Sequence, residues 1–263
     1  MKKTISRALL TLVFLLPLVD CKQKPVEIAP EIASSDEALF KAGQEIVKKD
    51  AEKARLYFRQ VIDSFPKSFY AQRAKLAIAD TYFEKGDEGS MILAASEYRE
   101  FIQLYPYSPS ASYAQFQIAM TFFKKALKPE RDQTKTMQAL AEFKKVIANF
   151  PLSEEAKQSQ QRISECEERL ARHMVTIGRH YYRTRAYKAS ISRLSEILTS
   201  YPSYSRMDEV YFYLADSNFR AGKTQESVPY FMKLVTDYPQ SKFAKQAQER
   251  LDEVNRTAPQ EKK

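Results

Sequence analysis

"DYPQSKFA", residues 237–244, sets an aromatic, a proline and then a serine between two stretches rich in helix formers. The chain writes nearly the same phrase four more times, as "SFPKSFYA" (64–71), "LYPYSPSA" (104–111), "NFPLSEEA" (149–156) and "SYPSYSRM" (200–207). Upstream of each proline runs a fixed pattern: a small residue, four on a large one, three on an apolar one, five on the proline. The sets are Ala54, Phe58, Val61, Pro66; Ala94, Tyr98, Phe101, Pro106; Ala139, Phe143, Val146, Pro151; Ser190, Leu194, Ile197, Pro202; and Ser227, Phe231, Leu234, Pro239. Steps of four and three keep one helical stripe, in which the small residue admits a close neighbour and the large ones fill the groove beside it. Proline lacks a donor and disfavours helical geometry in the residue before it, so each helix stops there. Ser68, Ser108, Ser153, Ser205 and Ser241 follow as expected caps of the next helix, with Pro109 at a first helical position. Ser34 with Glu37 reads as a capping box opening the first helix.

Composition agrees with helix throughout. Only 5 of 263 residues are glycine, and no Asn-Gly or Asp-Gly pair offers a tight hairpin turn. Leading helices carry their own small-then-aromatic spacing in Ala79 and Tyr82, Ala119 and Phe122, Gly178 and Tyr181. Helix pairs that recur along a chain bury their faces on one another, which makes a solenoid. The pattern resembles the tetratricopeptide repeat. That resemblance implies an all-α, right-handed solenoid of about five degenerate helix pairs over 36–256, with insertions near "EKGDEGSM" and "LKPERDQTK". Pro229 lies inside the last repeat's second helix, which is expected to kink or start late. Residues 152–185 contain no proline, so two helices are expected to merge there into one long rod.

The first twenty residues are of another kind. "MKKTISR" is a basic segment and "ALLTLVFLLPLV" an apolar run suited to a signal peptide, so 1–20 reads as an export leader. The run ends at "LVDC", which resembles a lipobox with Asp20 in place of the usual small residue and makes Cys21 the expected lipidation site. Acyl chains there, at roughly 0.8 kcal/mol per buried CH₂, anchor a chain to a membrane without a spanning helix. Residues 21–35 then read as an extended tether and 257–263 as a disordered tail. With Cys21 modified only Cys166 remains, so no internal disulfide is available. The net charge of +9 is spread along the chain, and an exported protein meets anionic lipid or acidic protein with it rather than nucleic acid.

Catalytic chemistry finds little footing. There is no P-loop, no GxSxG, no HExxH and no CxxC. Cys166, His173 and His180 stand seven apart, about 10.5 Å along a helix, too far to share a metal. "ESVPYF" at Glu226 faintly resembles the start of a lytic transglycosylase motif, but Ser227 already fills a packing position and too little chain follows for such a domain. The reading is therefore a non-enzymatic binding protein without cofactor or metal.

The lipobox-like start, the five repeats and the run "LARHMVTIGRHYYRTRAYKASISRLSEILTSYP" (170–202) together resemble the BamD family of outer membrane assembly lipoproteins. The resemblance implies a lipid anchor at the inner leaflet of the outer membrane, a role in β-barrel assembly, and binding to the last POTRA domain of BamA alongside other lipoproteins of the machine. It implies unfolded outer membrane proteins as clients of the N-terminal repeats. Arg193 matches the family arginine that pairs with BamA, and Phe65, Ser68 and Tyr70 lie at the corner matching the substrate-contact region. The alternative is another envelope scaffold on the same repeats, such as a Tol-Pal coordinator resembling CpoB or a peptidoglycan-associated protein.

Overall fold

The computed structural model describes residues 28–257, so the leader, Cys21, most of the tether and nearly all of the expected tail lie outside the described residues. Twelve helices follow one another among these residues: α1 (Pro30–Ala33), α2 (Asp36–Ile46), α3 (Ala51–Ser64), α4 (Phe69–Lys85), α5 (Glu88–Leu104), α6 (Ala111–Phe123), α7 (Thr134–Asn149), α8 (Glu154–Arg183), α9 (Tyr187–Ser200), α10 (Met207–Arg220), α11 (Thr224–Asp237) and α12 (Ala244–Thr257). Each packs chiefly on its neighbours in sequence, as a solenoid requires. The pairs α2–α3 through α10–α11 are the five repeats, and α12 covers the last of them.

The corners behave as the phrase predicts. Phe65, Tyr105, Phe150, Tyr201 and Tyr238 each end their helix at φ between −138° and −130° and ψ between 52° and 58°, a conformation outside the helical region. Each still donates its N–H to the carbonyl four residues back, and each accepts from the residue three ahead at 2.9–3.1 Å. Five different sequences therefore make one turn. The stripe behind it is buried in every repeat: Ala54, Phe58, Val61, Ala94, Tyr98, Phe101, Ala139, Phe143, Val146, Ser190, Leu194, Ile197, Ser227, Phe231 and Leu234 are all within 1% of complete burial. Five successive apolar clusters form around Phe58, Tyr98, Phe143, Leu194 and Phe231. Small leading-helix residues let these side chains in. A Cβ on Gly43 would lie 2.6 Å from the Phe58 ring, and one on Gly178 would lie 2.6 Å from Leu194.

Several local expectations need correction. Residues 30–33 form a helical turn rather than extended tether, because Pro30 suits a first turn and Ile32 with Ile28 packs against the first core. Ser35, not Ser34, caps α2, while the Ser34 hydroxyl turns back to the Glu31 carbonyl. Ser68 and Ser153 cap as expected, and Ser241 accepts from Phe243 N–H. Ser108 instead closes the turn onto Ser110 N–H, leaving Pro109 outside the helix, and Ser205 gives its hydroxyl to Glu168. The helix with Pro229 does not start late. α11 begins at Thr224 and runs through Pro229 in its second turn, where the proline leaves the Gln225 carbonyl without its intrahelical donor. The long rod is present as the 30-residue α8. The "EKGDEGSM" insertion is absorbed by Gly86 at φ 73° ending α4 and Asp87 capping α5. The other is a loop held by buried Gln133, whose amide donates to the Lys128 and Arg131 carbonyls.

Candidate functional site

At the first corner the structure brings Phe65, Ser68 and Tyr70 together. Phe65 is half-buried against the first core. Ser68 accepts from Tyr70 N–H at 2.9 Å and donates its hydroxyl to the Asp36 carboxylate, so it ties the start of α4 to the start of α2. That hydroxyl and the Glu37 N–H hold Asp36 below the usual carboxylate range. The Tyr70 ring lies 5.5 Å from Phe40, and its hydroxyl is pushed up first by desolvation and then by Glu37. Sequence reading missed what completes the patch. Arg73, one turn into α4, sits 4.7 Å above Phe40, 5.6 Å above Tyr70 and 5.7 Å above Phe69, and Phe69 remains 68% exposed. Such a patch suits aromatic and apolar segments, with the guanidinium adding cation–π attraction. Beyond it Phe69, Arg73, Leu76 and Phe101 line a shallow cleft of about 280 Å³.

Inside the first two repeats lies a larger groove of about 810 Å³, walled by α2, α3 and α4 and lined by Val47, Asp50, Arg55, Asp80, Thr81 and Glu84 among others. Arg55 is buried, donates to Thr81 Oγ1 at 3.1 Å and stacks 4.4 Å over Tyr82. Asp80 accepts from the Tyr98 hydroxyl at 2.5 Å and from the Tyr113 hydroxyl at 2.9 Å. Burial pushes its carboxyl above the usual range, against the lowering effect of those two bonds. It also pushes the Tyr113 phenol up to about 12 and the Tyr98 phenol higher still. Both phenols therefore stay protonated and donate.

Arg193, on α9, is half exposed, and its Nη1 lies 3.6 Å from Glu196 one turn on. That pair is solvated and weak, so the guanidinium is free to trade it for a carboxylate on a partner. The polar residues that organise this half lie deeper. Asp216, fully buried, accepts from the Tyr182 hydroxyl and Arg220 Nε at 2.5 Å and from Arg250 Nε at 3.1 Å, linking α8, α10 and α12. Glu209, also buried, meets Arg179 at 2.9 Å and Arg206 at 2.6 Å. Asp80 and Asp216 both follow the small residue of a leading helix, Ala79 and Ala215, and that register was the signal in the sequence.

Elsewhere, His173 Nδ1 donates to the Pro129 carbonyl at 2.6 Å and Cys166 is buried in the third core. Among the described residues no three His, Cys, Asp or Glu side chains converge on a point, and no helix is long and apolar enough to cross a membrane.

A family model described as "YfiO: Outer membrane lipoprotein" matches residues 32–227, which is almost the whole of the repeat array. The chain belongs to this outer membrane lipoprotein family. Among its relatives, the outer membrane protein assembly factor BamD of Caulobacter vibrioides is 29% identical over 171 residues, covering 65% of this chain and 55% of that protein. BamD of Rickettsia prowazekii is 26% identical over 237 residues, covering 88% of this chain and 91% of the relative. BamD of Neisseria meningitidis serogroup A is 25% identical over 220 residues, covering 80% and 81%. In shape the chain is similar to the TPR2AB domain of yeast Sti1, at 12% identity and a TM-score of 0.43 over 84% of this chain and 90% of that one. The family is one of non-catalytic assembly factors, and its members associate with the β-barrel assembly complex.

Proposed function

We propose that this protein is a lipid-anchored, periplasm-facing subunit of the outer membrane β-barrel assembly machine. Cys21 carries the acyl anchor. The C-terminal repeats bind the last POTRA domain of BamA, with Arg193 pairing an acidic residue there. The N-terminal repeats receive unfolded outer membrane proteins at the corner of Phe65, Ser68 and Tyr70, where Phe69 and Arg73 supply the accessible surface and the other three set its shape. The match to the family over residues 32–227 carries this reading, because it spans both the N-terminal corner and Arg193.

The test is recovery of the tagged protein from its native membrane in mild detergent. BamA and other lipoproteins of the machine recovered in stoichiometric amount support the proposal. Pal or TolA in their place would assign the chain to a Tol-Pal scaffold instead. Labelling with radioactive palmitate is expected to mark the wild type and not Cys21→Ser.

A further inference from the structure

The turn between α8 and α9 differs from its counterparts in the same array. Gly86, between α4 and α5, and Gly222, between α10 and α11, sit at φ 73° and 76°, in the left-handed region that glycine enters freely. Arg185 takes that position between α8 and α9, at φ 62°. The turn it makes is the one made at Gly222. Arg185 N–H donates to the Tyr182 carbonyl at 3.0 Å and Ala186 N–H to that of Tyr181 at 2.9 Å, as Gly222 does to Phe219 at 3.1 Å and Lys223 to Asn218 at 2.9 Å. A residue with a Cβ is strained in this conformation. The Arg185 side chain is exposed and has no hydrogen-bond or ion-pair partner among the described residues, so it offsets none of that strain.

Charge sets the same turn apart. Residues 169–195 hold seven Lys and Arg and no Asp or Glu. Four of the seven are answered: Arg169 by the Leu127 carbonyl, Arg172 by Glu168, Arg179 by Glu209 and Arg193 by Glu196. Arg183, Arg185 and Lys188 are exposed, and no carboxylate among the described residues lies within ion-pair distance of them. The cations beside the two glycine turns are paired, Lys85 with Asp87 and Lys223 with Glu226, each at 3.9 Å. Lys188 stands five residues before Arg193 on the solvent side of α9, about 7.5 Å along the axis. The unpaired cations therefore run up to the residue proposed above to pair with BamA. A surface of one sign beside a contact speeds encounter with a surface of the other sign. We propose that Arg183, Arg185 and Lys188 extend the Arg193 contact by meeting an acidic surface of BamA, and that they act mainly on the rate of association. The inference rests on the BamA contact proposed above.

The test follows, by stopped flow in detergent, the association of the lipidated mature chain with full-length BamA at low and at high salt. Replacing all three cations, by Arg183→Gln, Arg185→Gly and Lys188→Gln, is expected to slow association about tenfold at low salt, to leave dissociation nearly unchanged, and to lose its effect at high salt. Arg185→Gly alone is expected to raise Tm, because glycine relaxes the turn as Gly222 does, while association still slows. A variant firmer than wild type but slower to bind separates the contact from folding. A triple variant that associates as fast as wild type at low salt would overturn the inference and leave the BamA contact standing. So would an Arg185→Gly protein with a lower Tm, since the arginine would then serve the fold. A wild type that does not bind BamA would overturn the contact itself, and this inference with it.

Discussion

Asp80 in the second repeat and Asp216 in the fifth hold the same register, one residue after the small position of a leading helix, and both are turned inward. Asp80 is answered only by neutral phenols, Tyr98 and Tyr113, on the wall of an open groove. Asp216 is answered by one phenol and two guanidiniums, with α12 laid over it. Among the described residues no Lys or Arg lies within ion-pair distance of Asp80, and the nearby charge of Glu84 adds to the push on its carboxyl. A buried carboxylate with two arginines fixes three helices in one arrangement. Asp80 also joins three helices, α4, α5 and α6, but through neutral hydrogen bonds, and the ion pairs of this half, Lys75 with Glu97 and Glu100, lie apart from it. The difference teaches that one apolar frame can carry two kinds of end: a C-terminal half whose buried carboxylates, Asp216 and Glu209, meet arginines, and an N-terminal half whose Asp80 meets only phenols beside an open groove.

The largest effects should be blind to this contrast. Phe58→Ala and Phe231→Ala each empty a fully buried stripe position, and each is expected to cost about 3–5 kcal/mol in denaturant unfolding. A cost confined to one half would break the idea of a shared frame. Asp216→Asn should come next, at about 3 kcal/mol, because it strips the charge facing Arg220 and Arg250. Asp80→Asn should move the other way. A carboxyl whose folded pKa lies above its unfolded value contributes stability that is whole below the unfolded pKa of about 3.8 and is lost as pH rises through the folded value. The asparagine carbonyl keeps both phenol bonds without that loss. Its Tm is therefore expected to match wild type near pH 4 and exceed it at pH 7. An Asp80→Asn protein less stable than wild type at pH 7 would mean that the groove holds a compensating cation. Smallest on stability is Arg193→Glu, which gives up one solvated ion pair and should leave Tm nearly unchanged while BamA recovery falls. Undiminished recovery would remove Arg193 from the interface.

The frame was legible because it rests on rules local in sequence. Proline ends a helix wherever it stands, and steps of four and three share a face, so the five corners and the buried stripe could be read before any fold was known. Caps were read less well, since Ser35 rather than Ser34 and the displaced Ser108 and Ser205 depend on how tightly each corner closes. The start of α11 was misjudged at Pro229, because the helix forms through the proline from Thr224 and no side-chain cap announces that start. The polar networks were legible only in the shared register of Asp80 and Asp216, not in their partners. Asp216 and Arg250 lie thirty-four residues apart and meet only because α12 folds back over α10, and Arg73 joins the Phe40 patch only once α2 and α4 are side by side. Phe65, Ser68 and Tyr70 share one corner, where Ser68 and Phe65 are occupied in holding it.

Hydrogen exchange followed helix by helix, on wild type and Asp216→Asn, tests the contrast between the two ends most directly. Stability in a repeat array is set by each unit and its neighbours, so protection reports each end separately. The expected result is stronger protection in α8, α10 and α12 than in α2 and α4 of the wild type, with the substitution erasing the difference and leaving α2 and α4 untouched. Equal protection at both ends of the wild type, or a loss in the variant spread evenly along the array, would contradict it.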